Sequence, residues 1–403
     1  MRNPQFFYPG AVWSNDPAFA PEYPAHHAGG ISSLVSGQRR GAVRHGDPRL
    51  DVGICQVRRE DGDSGLISGG GQRASGAGGA DGGPVWATGG RDALGAPRFD
   101  QSVAAGGYLW WYIDALSDDG QHGLSIIAFV GSVFSPYYAQ AIRRGQGDPD
   151  NHCALNVALY GRAGKRWTMT ERSRKNVTRD ATEFNIGPSS VRWNGQSLEI
   201  NIHERGVPLP YPVRGTIRVH PQALTTYHTA LDDGGLHRWG PLAPCARVEV
   251  DLTEPAQRWT GHAYLDSNEG DEPIDRPFRE WDWSRASLAD GSTAVIYDVQ
   301  QKQGADRLLG VRFAPDGSHT DFVPPPRQSL PQTAWRIPRR MRTEDAAPVG
   351  IVSMLEDTPF YERSVLQSRL FGQDVISMHE TLNVPRLVSP VVQWMLKWRM
   401  PRR

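Results

Sequence analysis

Cysteine is scarce in this chain. Cys55, Cys153 and Cys245 are the only three in 403 residues, far apart and odd in number. That argues against a disulfide framework or a zinc cluster, and for a reducing compartment. Long apolar runs are also missing: nothing approaches the roughly 18 residues of a membrane-spanning helix, and mean hydropathy is −0.50. The first ten residues hold one arginine and too few apolar side chains for the core of a secretory signal, so a cytoplasmic location is expected. An excess of one charge is absent, since Lys+Arg and Asp+Glu are both 44, and no global field favours nucleic acid. Reactive fingerprints are lacking too. No serine or cysteine sits in a nucleophile motif, and His379-Glu380 has no second histidine at i+4 to make a zincin pair. No metal and no cofactor is expected.

What is present divides unevenly. Hydrophobic residues make up 38% and glycines number 44, enough for a packed core. Residues 61–91, however, are rich in Gly, Ser, Ala and Asp, as in Ser68-Gly69-Gly70-Gly71. Such a stretch buries too little apolar surface to offset the entropy of ordering it. A phosphate-cradling loop would need a strand before it and a helix after it, and neither pattern is visible. Residues 1–97 are therefore expected to be loosely structured, the earlier part being a candidate cover for one end of a barrel.

From Phe99 onward the pattern is β. Tyr108-Leu109-Trp110-Trp111-Tyr112-Ile113 and Leu124-Ser125-Ile126-Ile127-Ala128-Phe129-Val130 flank the turn cluster Ser117-Asp118-Asp119-Gly120. Asn194-Gly195 between Val191-Arg192-Trp193 and Ser197-Leu198-Glu199-Ile200 predicts a type I′ hairpin. Asp290-Gly291 and Asp316-Gly317 punctuate further strands. Strands at such spacing predict an all-β chain of antiparallel barrels or sandwiches. One helix is expected, from Pro390 to Met400, with Ser389 as N-cap and Pro401 as stop. Val391, Trp394, Met395 and Trp398 share one of its faces, with Gln393 and Lys397 opposite. That face either packs on a barrel or rests, through Trp394 and Trp398, in a membrane interface.

Several long motifs resemble the bacterial acyclic carotenoid 1,2-hydratase family. They include Gly106-Gly107-Tyr108-Leu109-Trp110-Trp111-Tyr112, Leu236-His237-Arg238-Trp239-Gly240-Pro241, Tyr264-Leu265-Asp266-Ser267-Asn268-Glu269-Gly270, Trp281-Asp282-Trp283-Ser284-Arg285 and Glu356-Asp357-Thr358-Pro359-Phe360-Tyr361. The resemblance runs from Phe99 to about Pro401. It implies two tandem lipocalin-like β-barrels, residues 98–271 carrying the catalytic groups and residues 272–403 ending in the amphipathic helix. It also implies a lyase of spheroidene and spirilloxanthin synthesis in photosynthetic bacteria, hydrating lycopene or neurosporene, soluble but peripheral to the inner membrane. A non-catalytic carotenoid carrier and an isoprenoid cyclase are the alternatives on the same fold.

Hydrating an unactivated alkene needs a strong proton donor, a site that tolerates a tertiary cation, and a base for the incoming water. On a strand, Tyr264, Asp266 and Asn268 share a face, joined by His262 if the strand is regular. In the context of the resemblance, Asp266 is the expected acid, with Glu269 and Asp271 next in line. An ordinary turn aspartate is the reading without it. His237 and Trp239 are likewise two apart. His237 is expected to bond Asp266 or take a proton from water, and Trp239 and Tyr264 to face the cation, the alternative for His237 and Trp239 being core residues. Trp110, Trp111, Trp281, Trp283 and Asn268 are candidates for lining a polyene tunnel. Asp232-Asp233 reads as a solvated turn.

Overall fold

The computed structural model describes residues 89–161, 164–344 and 348–403. The expectations for residues 1–88, Cys55 included, lie outside the described residues. What is described is all-β, with two large antiparallel sheets in tandem, a small hairpin and short helices.

The first sheet begins with β1 (Tyr108–Ser117), β2 (His122–Val130), β3 (Cys153–Gly161) and β4 (Arg166–Arg172). The helix α1 (Pro136–Arg143) is inserted between β2 and β3. Short strands follow: β5 (Val177–Arg179), β6 (Glu183–Ile186) and β7 (Ser189–Trp193). Then come β8 (Leu198–Arg205), β9 (Pro212–Pro221), β10 (Thr229–Ala230), β11 (His237–Glu254) and β12 (Ala256–Gly270). The strand order β4-β3-β2-β1-β12-β11-β9-β8-β7-β6-β5 curls into a nearly closed barrel.

The local chemistry of the turns explains the hairpins. At the β1–β2 turn, Ser117 Oγ accepts from His122 N at 2.9 Å while Gly120 takes a positive φ of 65°. The β7–β8 hairpin is present, but it is not the predicted two-residue turn. Trp193 pairs with Leu198, leaving four residues in the loop. Asn194 Oδ1 accepts from Gln196 N and Ser197 N, an Asx turn that the Asn-Gly dipeptide serves equally well.

The second sheet follows the linker at residues 271–277. It contains β13 (Phe278–Ser287), β14 (Thr293–Gln301), β15 (Arg307–Phe313) and β16 (His319–Asp321). After the separate hairpin of β17 (Arg327–Ser329) and β18 (Arg340–Arg342), it resumes with β19 (Gly350–Asp357), β20 (Tyr361–Leu370) and β21 (Gln373–Asn383). Its order is β16-β15-β14-β13-β21-β20-β19. Two helices close the chain, α2 (Val384–Leu387) and α3 (Pro390–Arg399).

Strand alternation sorts the side chains into two layers. Leu109, Trp111 and Ile113 of β1 point into the first barrel, which is filled by Ile126, Val157, Phe184, Ile200, Ile217, Val248 and Leu265. Trp110 and Tyr112 point the other way, into a second cluster shared with Trp281, Trp283, Tyr297, Val365 and Met378 of the second sheet. Both faces of β1 are thus covered, which is why it reads as an unbroken apolar run.

The far face of the second sheet is filled differently. The β17–β18 hairpin and its flank set arginines against buried acids there. Arg327 and Arg342 pair with Asp298, and Arg339 with Glu362 at 3.1 Å. His379 Nδ1 meets Glu362 at 2.9 Å. His379 thus belongs to a buried ion-pair lattice. Against the opposing effect of burial, the Glu362 carboxylate raises the His379 pKa.

Candidate active site

β12 carries the central acid. Asp266 stands opposite Tyr112 of β1 and Pro241 of β11, in the middle of the sheet rather than at its rim. Bulges in β11 immediately beyond Pro241 bend that strand where it passes the acid. Asp266 and its neighbours Tyr264 and Asn268 face the second sheet, not the interior of the first barrel. The barrel interior is occupied by hydrocarbon; the polar and aromatic layer lies between the sheets.

Asp266 Oδ2 accepts two hydrogen bonds, from Trp239 Nε1 at 2.8 Å and Tyr264 OH at 2.9 Å. Oδ1 has no partner among the described residues. Burial pushes the carboxyl up from 3.8 to about 8; the two hydrogen bonds oppose that rise, and the carboxylates of Glu380 and Asp114 add to it. The group is therefore a neutral acid at neutral pH. With two donors committed to Oδ2, its proton belongs on Oδ1.

The cavity beside it has a volume of about 50 Å³ and is walled by Trp110, Tyr112, Phe129, Phe134, Trp281, Trp283, Tyr297 and Tyr361. Val133, Ile127, Leu382, Asn268, Asp266 and Glu380 complete it. Glu380, from β21, faces in from the opposite sheet. Its Oε1 accepts from Arg363 Nε at 2.8 Å and from Tyr112 OH at 2.6 Å. The Tyr112 hydroxyl also lies 3.0 Å from Asp114 Oδ2, and Asp114 is paired with the buried Arg285 at 2.7 Å.

The candidates fall into four places. Asp266, Trp110, Asn268, Trp281 and Trp283 line the cavity. Trp239 and Tyr264 stand behind the acid as hydrogen-bond donors and do not line the cavity, whose walls are other aromatic side chains. Trp111 is a correction: being odd in β1, it points into the first barrel, edge-on to Phe99 and Phe184, with Nε1 donating to Gly90 O at 2.9 Å. His237 is a second correction. It does not reach Asp266; its Nδ1 lies 2.9 Å from Tyr108 OH, and its Nε2 is 3.6 Å from Glu272. Burial lowers its pKa.

The reserve acids are elsewhere as well. Glu269 faces the barrel end, where its carboxylate accepts from Arg238 Nε at 2.6 Å and Gly89 N at 3.0 Å, and Asp271 pairs with Arg238 outside. His262 sits exposed at the middle of β12, four positions from Asp266. Asp232 is not a solvated turn residue: it is buried, and its Oδ1 accepts from His237 N at 2.8 Å. Trp394 and Trp398 project from α3 into solvent. Among the described residues, no group of three or more His, Cys, Asp or Glu is placed to hold a metal.

Sequence reasoning missed Tyr112, Tyr297, Tyr361 and Glu380. Tyr112 and Tyr361 stood inside quoted motifs. Glu380 was weighed only beside His379, although strand alternation sends those two side chains to opposite faces of β21.

The fold and the site together define a two-sheet β protein with a buried neutral acid on an aromatic-walled cavity. The comparisons give the family: the carotenoid hydratase CrtC profile matches residues 126–403, and the chain belongs to that family. It is 60% identical over 382 residues to an acyclic carotenoid 1,2-hydratase of Rubrivivax gelatinosus, covering 94% of each chain. It is 49% identical over 403 residues to the protein of that name from Thiocapsa roseopersicina, covering 100% of this chain and 99% of that one. The Cereibacter sphaeroides protein of the same name is 40% identical and is matched over 98% of its length by 69% of this chain. Among solved structures, kievitone hydratase from Nectria haematococca aligns with a TM-score of 0.44 at 9% identity, covering 69% of this chain and 89% of that one.

Proposed function

We propose that this protein is an acyclic carotenoid 1,2-hydratase that adds water to the terminal double bond of lycopene, neurosporene or a related chain by acid catalysis from Asp266. The observation that carries the reading is the neutral Asp266 carboxyl with its free Oδ1 on the cavity wall. The proton on Oδ1 passes to C2 as the C1–C2 π pair forms the new C–H bond. C1 becomes a tertiary cation, bordered by the faces of Trp110, Trp281, Trp283 and Tyr297. Trp239 and Tyr264 stabilise the Asp266 carboxylate left behind. Water then bonds to C1 and loses a proton to Glu380 on the opposite wall. Asp266 regains its proton from solvent as Glu380 gives up the one it took, so both groups return to their starting states. The sequence of steps is redox-neutral and calls on no cofactor.

A carrier would have no use for a buried acid with an unpartnered oxygen, which is costly to desolvate. The test is incubation of the purified chain with detergent-dispersed lycopene in heavy water. The expected product is the 1-hydroxy carotenoid bearing one deuterium at C2. Unchanged lycopene would make the protein a carrier, and a cyclised isomer would make it a cyclase.

A further inference from the structure

The C-terminal helix shows an unexpected side to solvent. Its buried residues are Val392, Gln393 and Leu396, so the expected apolar stripe does not pack on the barrel. Val391, Trp394 and Trp398 are instead 67%, 61% and 66% exposed, with the two indoles 6.0 Å apart edge to face. Val388 is exposed beside them. Isolated apolar side chains on a surface are ordinary, but a contiguous pair of indoles with two valines marks a contact site.

Charge narrows what the contact is. Residues 384–403 contain five cations, Arg386, Lys397, Arg399, Arg402 and Arg403, and no acid. Arg402 is neutralised by Glu171, Arg386 is held by the carbonyls of Trp335 and Arg336, and Arg399 lies over the Trp167 ring within reach of the Glu356 charge, while Lys397 and Arg403 are exposed. The helix α1 packs on α3 and adds Arg143 and Arg144, both exposed, in a stretch from Ser132 to Gly147 that also lacks acids. A second copy of this chain would bring like charges together across a twofold axis. An anionic lipid surface complements them, and tryptophan flanked by lysine and arginine is the composition of a side chain layer seated at headgroup level.

The position of the platform supplies the reason. Val133 and Phe134, which line the cavity, lead directly into α1 through its cap Ser135. Phe134 also meets Phe360, which precedes β20 of the second sheet, with ring centres 5.9 Å apart and planes tilted by 44°. The buried side of α3, through Val392 and Leu396, belongs to the aromatic cluster that surrounds the cavity. We infer that the α1–α3 face docks on anionic bilayers and sets the cavity mouth against the lipid, so that an apolar chain enters without crossing water. This inference rests on the reading of the cavity as a polyene site.

The test is flotation of the full chain with vesicles of phosphatidylcholine alone and with added phosphatidylglycerol, beside hydration of lycopene dissolved in those vesicles or dispersed in detergent. The wild type is expected to bind the anionic vesicles and the Trp394→Ser/Trp398→Ser variant to bind at least about tenfold more weakly, while its detergent activity, which also reports its fold, is kept. Lys397→Glu should weaken anionic binding and leave detergent activity unchanged. Equal binding of wild type and the tryptophan variant, equal binding to neutral vesicles, or loss of a dimer in the variant would overturn the docking. Vesicle binding without hydration of either substrate form would instead overturn the proposed function and leave the docking intact.

Discussion

Asp266 is the residue on which the chemistry turns, and its environment makes two measurable demands. Burial holds a proton on it up to about pH 8, against an ordinary value of 3.8. Between those values the folded chain carries a proton that the unfolded chain has lost, so this group lowers stability progressively as pH rises from about 4 to about 8 and no further above that. Asp266→Asn keeps the shape and removes the penalty. Its melting temperature should exceed the wild type's by an amount that grows across that window, while turnover falls about 10²- to 10⁴-fold. A folded variant with near-normal turnover would discard Asp266 as the acid. Trp239→Phe keeps the ring but loses the N–H that steadies the carboxylate. The alkaline limb of its pH–rate profile should therefore move to higher pH, and Tyr264→Phe should move it the same way. Period-2 spacing made the Tyr264–Asp266–Asn268 face legible from sequence. The Trp111 assignment failed because alternation tells which side chains go together, not which side of the sheet holds the site; His237 is on the site's side but pairs with Gly270, four positions along β12 from Asp266, beyond the reach of a hydrogen bond.

At the scale of elements, the least legible feature is the segment at residues 89–97. It closes a run whose glycine-rich composition pointed to loose structure, and composition cannot reveal one well-placed arginine. Arg91 is buried at the end of the first barrel, where its guanidinium donates to Tyr227 O at 2.9 Å, Pro241 O at 3.0 Å and Ser267 Oγ at 3.0 Å, and to Gly240 O. Those carbonyls lie on β11 and on the chain entering β10, so one side chain ties the approach to the site together. Arg91→Ala leaves several buried acceptors without donors and should cost about 2–4 kcal/mol, visible as a lower urea midpoint. A chain starting at Pro84 should fold and retain hydration; one starting at Arg98 should melt earlier. Equal melting of the two would reduce the segment to decoration. The β17–β18 hairpin was equally hidden. Its arginines and the flanking Arg339 neutralise acids from two distant strands, β14 and β20, and no local pattern announces such a lattice.

The whole molecule is organised around the meeting of its two sheets. Turn spacing made the antiparallel strands legible, but a single sequence holds no record of which faces meet, and β1 is apolar on both. The meeting is fastened by charge as well as by rings. Arg285 of β13 pairs with Asp114 of β1, both fully buried, and Tyr112 of β1 donates to Glu380 of β21. A buried pair of this kind adds little net stability over well-packed apolar residues, but removing one partner strands the other charge. Arg285→Met should therefore cost about 3–5 kcal/mol, and Asp114→Leu/Arg285→Met should recover most of that loss. Activity separates the two variants further. The Asp114 carboxylate is one of the charges that keep Asp266 protonated, so the double variant should regain stability while its alkaline limb moves to lower pH. If the double variant were as unstable as the single one, the pair would be holding the sheets in register. If it regained stability with an unchanged pH profile, Asp114 would have no electrical hold on the acid, and the coupling between fastening and chemistry would fail.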